Sequence, residues 1–133
     1  MPPLTNGRDT RSQEIFFAAP YPVKANAIIQ DGGLVALSLG FAVPAADAVG
    51  AVIVGVADWR VDNTGGANGD KLCRVRRGVF HLDQSGMAQA DMGGKAFVVD
   101  DHTVSKTAGT NSTSAGELLY LDPDGGVWVK VGP

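Results

Sequence analysis

Two histidines and several closely spaced carboxylates are the residues that could do chemistry in this chain. Asp100-Asp101-His102 sets two carboxylates beside an imidazole, a group able to hold a metal ion or move protons, and His81 is the only other histidine. Three adjacent side chains diverge unless their loop folds back, and no residue in the sequence can be recognised as the group that would orient His102. The expectation is an Asp-rich turn. Asp122-Pro123-Asp124-Gly125 offers carboxylates as a calcium loop does, but the spaced oxygen ligands and the closing Glu of an EF-hand are missing. It reads as the turn of a hairpin.

No Gly-Lys-Thr phosphate loop, G-x-S-x-G elbow or helix-opening G-x-G-x-x-G occurs. The chain is therefore expected to have no catalytic residues, no cofactor and no metal, and not to be an enzyme. Cys73, the single cysteine, falls between Leu72 and Arg74 in an apolar pattern and reads as a small buried hydrophobe. Arg74, Arg76 and Arg77 are the one basic cluster, and they read as solvent-facing or interface arginines. Trp59, Phe80, Tyr120 and Trp128 could stack on sugars, so the competing functional class is a carbohydrate-binding or adhesin-type β-sandwich module. The simpler account makes Trp59 a core residue and Trp128 a surface or interface one, although the face that Trp128 uses stays open.

The elements that must position these residues are short strands. A chain of 133 residues with 18 Gly, 7 Pro and few aromatics suits strands joined by tight turns around one core. In residues 34–43, Val35, Leu37, Leu39, Phe41 and Val43 alternate with small residues, a period-two strand signal, and Asp31-Gly32-Gly33 is expected to turn a hairpin between residues 27–30 and this run. Residues 52–59 are apolar on both faces, with Val52, Val54 and Val56 assigned to one side and Ile53, Ala57 and Trp59 to the other; such a strand belongs at the centre of a structure. Residues 72–82 put Cys73, Val75 and Val79 on one face together with Arg77, a conflict that a bulge near Arg76-Arg77-Gly78 would relieve by re-aiming that side chain and bending the strand. Two hairpins follow, turning at residues 100–102 and 122–126. The fold class is all-β, a small compact β-barrel or β-sandwich of roughly seven to nine strands.

The first residues differ from the rest. Residues 1–14 are polar and lack periodicity, and then Ile15, Phe16 and Phe17 arrive together before Pro20-Tyr21-Pro22. Residues 1–22 are accordingly expected to form an extended N-terminal arm, with Ile15, Phe16, Phe17 and Tyr21 as partner contacts, and residues 23–133 a single β domain. A net charge of −3 without a dense cationic face argues against nucleic-acid binding. With no signal-peptide pattern and no apolar run near the roughly 20 residues that span a bilayer, the expectation is a protein made in the cytosol that does not enter a membrane.

Several blocks, taken in order, carry a resemblance. Val43-Pro44-Ala45 leads through Gly50-Ala51 to Val54-Gly55-Val56-Ala57; Val75 and Gly78-Val79-Phe80-His81-Leu82 come next, and then residues 94–101, GKAFVVDD. Over roughly residues 27 to 131 this order and spacing resembles the capsid cement, or head decoration, proteins of tailed bacteriophages. The resemblance implies a non-catalytic virion protein on the outer capsid surface that stabilises the lattice of the major capsid protein. It also implies a homo-oligomer, commonly a trimer, that touches no nucleic acid directly.

Overall fold

The computed structural model describes residues 17–132, and the chain in it is all-β, as the alternation and turn chemistry predict. The strands are β1 (Phe17–Pro22), β2 (Ile28–Ile29), β3 (Leu34–Ser38), β4 (Phe41–Pro44), β5 (Val52–Ala57), β6 (Val61–Asp62), β7 (Leu72–Leu82), β8 (Lys95–Val98), β9 (Val104–Ser105), β10 (Ser114–Leu121) and β11 (Val127–Val131). They form one large antiparallel sheet in the order β4-β3-β5-β7-β11-β10-β8-β9, with β1 added on β7 and a small β2-β6 ribbon apart. The one helical element among the described residues is a single 3-10 turn, Gln89–Asp91.

The alternating run does not stay one strand. It doubles back at Leu39-Gly40, both at positive φ (50° and 85°), the backbone that a two-residue hairpin turn demands. Ala42 thereby joins Val35 and Leu37 on one side of the sheet, while Val43 turns to the other. Asp31-Gly32-Gly33 is a turn but not a hairpin, because β2 pairs with β6.

β3 and β5 form a wall with a hydrophobic core on each face. Leu34, Ala36, Ile53 and Val56 pack into the larger core with Leu82, Val98, Leu118, Val127 and Val129. Val35, Val54 and Ala57 pack into the smaller one with Val23, Ile29, Val61, Cys73 and Val75. The double burial expected for residues 52–59 is present, but the expected sides are not. Ala36 pairs with Ile53 and Val35 with Gly55, so Val54 is an extra residue that reverses the alternation after it. Val52 and Trp59 are about half exposed, and Trp59 is not a core residue.

The bulge expected near Arg76-Arg77-Gly78 does not form: β7 pairs with β1 and with β11 without a register shift, and its two halves face different cores instead. The first half of β7 pairs with β1 and its last five residues, Gly78 to Leu82, pair with β11. The inward residues change from Cys73 and Val75 to Leu82, and Val79 lies exposed rather than beside them. β1 also moves the expected boundary between arm and domain. Phe17 to Pro22 pair with Arg77 to Leu72, and Tyr21 packs against the smaller core, so these residues belong to the domain. Pro20 and Pro22 are tolerated because β1 lies off the main strand path, where a missing N–H costs no second ladder. Ile15 and Phe16 lie outside the described residues.

Candidate functional site

Alternation along β11 decides which side chains face out. Val127, Val129 and Val131 are buried, so Trp128 and Lys130 point away from the core. Register then aligns three strands: Tyr120 of β10 pairs with Trp128, and Trp128 pairs with His81 of β7. The result is a cross-strand row on the outer face. The Tyr120 and Trp128 rings stack with centroids 5.8 Å apart and planes 23° apart, and the His81 ring meets Trp128 edge-on at 5.5 Å. Tyr120 remains 51% exposed.

The hairpin at residues 122–126 supplies the polar groups beside the row. Trp128 Nε1 donates to Asp122 Oδ2 at 2.9 Å, which ties the indole to the turn that precedes its own strand. His81 Nε2 donates to Asp124 Oδ1 at 3.0 Å, and Gln84 Nε2 donates to the Gly125 carbonyl at 2.7 Å. The bond to Asp124 holds the His81 imidazole pKa above its ordinary value. The Gly126 N–H, and then His81, hold the Asp124 carboxyl below its own. A Cβ at Gly126 would run into the His81 ring, so glycine here is what lets the imidazole lie over the turn. Trp59 and Phe80 take no part. Phe80 packs against the larger core with the Arg76 guanidinium 5.6 Å from its ring centroid.

The second cluster is the expected Asp-rich turn. Asp100, Asp101 and His102 bring their ligand atoms within 4.8 Å of one another. His102 Nδ1 lies 2.8 Å from Asp83 Oδ2, a bond that raises the imidazole pKa. Asp83 is thus the orienting group that sequence reasoning missed. It lies 19 residues away and meets His102 only because residues 83 and 103 form an isolated β-bridge just beyond the ends of two strands. The side chains of His102 and Asp83 are 63% and 65% exposed, so water competes for every bond in the cluster.

The arginines are committed within the chain. Arg74 and Arg76 both approach Asp58, at 3.4 and 3.0 Å, the second pair bent too far to count as a hydrogen bond. Arg77 Nε donates to the Val54 carbonyl at 3.0 Å, where the extra residue of β5 leaves that carbonyl free. Cys73 is fully buried, and burial pushes its thiol pKa up to about 11, as expected of a packing residue.

Large apolar side chains are presented elsewhere. Leu39, at the β3–β4 turn, is 96% exposed, and Val49, in the loop before β5, is 87% exposed. That loop is pinned by Asp47, whose carboxylate accepts the Asn111 and Thr113 backbone N–H groups. On the β1 side, Ala19, Pro20, Trp59, Leu72 and Arg74 line an open groove of about 470 Å³. No protein-family model, curated protein or solved structure matches the chain.

Proposed function

We propose that this chain is a structural virion protein, a capsid decoration (cement) protein. It binds the outer surface of a phage head and stabilises the lattice of the major capsid protein without catalysing a reaction. The ordered blocks from residue 43 to residue 101 support this reading by their resemblance to that family. The observation that carries it is the presentation of Leu39 and Val49. Both cores of the domain are already filled, yet these two side chains stand in water on a tight turn and a pinned loop. Leu39 also accepts left-handed backbone, at a cost of roughly 1–2 kcal/mol for a residue with a Cβ. Burial against a partner would offset that cost, since a large apolar side chain contributes about 1.5–3 kcal/mol when it leaves water.

A partner that binds only the expanded lattice stabilises it by mass action. An oligomer, in this reading a trimer, multiplies weak contacts because each contact after the first is intramolecular. The test is cosedimentation of the purified chain with expanded capsid shells, beside the doubly substituted Leu39→Asp, Val49→Asp chain. Saturable binding of the unaltered chain, lost in the variant at an unchanged Tm, is the expected result. No binding of the unaltered chain, or equal binding by both, overturns the proposal.

A further inference from the structure

We infer that the outward row Tyr120, Trp128 and His81, with Asp124 and Gln84 beside it, is a binding site for a neutral sugar residue of a glycan. This inference does not rest on the capsid reading. A hexose ring has two chemistries at once: a face of C–H groups, and a rim of hydroxyls that donate and accept hydrogen bonds. A site for it needs an exposed aromatic surface set beside polar groups with spare capacity.

Both are present, and both are held in place. Asp122 fixes the Trp128 indole, Tyr120 stacks on it and His81 abuts it, so little side-chain freedom is left to lose on binding. The Asp124 side chain is 60% exposed, and its carboxylate has lone pairs beyond those used by His81 and the Gly126 N–H. Next to the aromatic pair, on its His81 side, an open depression of about 460 Å³, within the usual range for small ligands, is lined by His81, Asp83, Gln84, Asp124, Gly125 and Gly126.

Charge selects among ligands that like aromatic surfaces. Asp83, Asp122 and Asp124 surround the row, which disfavours sialylated, uronic or phosphorylated groups. A quaternary ammonium would suit the acids, but it is held by rings that enclose it, and here two rings lie offset in one row with His81 edge-on. A neutral sugar matches the exposed Tyr120 ring and the acceptors together.

The experiment uses the full chain carrying Trp59→Phe, which leaves Trp128 as the only tryptophan. Its emission is followed while neutral oligosaccharides from a glycan array are titrated in, with sialyllactose and choline chloride as comparisons. We expect a saturable change with at least one neutral oligosaccharide, weakened at least tenfold by Tyr120→Ala and by Asp124→Asn. Both are exposed positions, and far-UV circular dichroism checks that each variant is folded. No saturable response to any neutral oligosaccharide, a response untouched by both substitutions, or a response to choline or sialyllactose alone overturns the assignment.

Discussion

The wall of β3 and β5 and the outer face of β7, β11 and β10 are built from similar strand-forming residues, yet they do opposite work. In the wall, Leu34, Val35, Ile53, Val54 and Val56 are at most 3% exposed, and both faces of the sheet are spent on packing. On the outer face, Val79, His81, Trp128, Lys130 and Tyr120 alternate with buried or half-buried neighbours, so one side of each strand holds the core and the other is free for recognition. Stability should therefore concentrate in the first region, and the sugar binding inferred above in the second.

The sharpest way to break that contrast is Ile53→Ala. It should cost about 2–5 kcal/mol, because the wall cannot collapse into a cavity from either side. Val52→Ala, one residue earlier but about half exposed, should stay within about 0.5 kcal/mol. Urea unfolding of the two variants measures the difference, and equal losses would mean that the wall is not the stabilising element.

Gly55→Ala should come next. Its φ of 154° is disfavoured for a residue with a Cβ, and that Cβ would meet the Arg76 carbonyl and the Val75 side chain where β5 pairs with β7. A loss of about 1–3 kcal/mol is expected from such overpacking, read from the shift in urea midpoint. A neutral result would show that this pairing is looser than its geometry indicates.

On the outer face, Tyr120→Ala should cost only about 0.5–1.5 kcal/mol, the scale of one aromatic pair, while leaving the cores intact. Calorimetry checks the magnitude. A loss as large as that of Ile53→Ala would place the row among the structural elements.

The smallest effects should come from titration. The stabilisation tied to the raised His81 pKa is complete below the ordinary value of 6.5 and is lost as pH rises through the folded pKa. The share tied to the lowered Asp124 pKa is present above 3.8 and is lost as pH falls through the folded one. Removing the pair with His81→Gln should therefore lower Tm most between about pH 3.8 and 6.5, and the gap should close on either side. If the chain decorates capsids as proposed, replacing Asp101 and His102 together by Ala should leave that binding unchanged, since both sit in a turn, Asp101 half-buried and His102 exposed. A folded double variant that no longer cosediments with shells would overturn that assignment.

Local chemistry was legible in the sequence where it depends on near neighbours. Asp122 to Gly126 specify the hairpin before β11, and the unbroken apolar run at residues 52–57 specifies burial on both faces, whereas only the structure decides the face that Trp128 uses.

What only the tertiary structure decided lies between segments far apart in the chain. The pairing of β3 with β5 sets the extra residue at Val54 and so reverses which side chains enter each core. The pairing of β1 with β7 draws Tyr21 into the domain. The register of β10, β11 and β7 gathers Tyr120, Trp128 and His81 into one row, and the bridge at Asp83 brings a carboxylate to His102. Period and turn type are properties of a few consecutive residues, whereas register and partner follow from comparing the burial and hydrogen bonding of many alternative pairings. That comparison is made only when the whole chain packs.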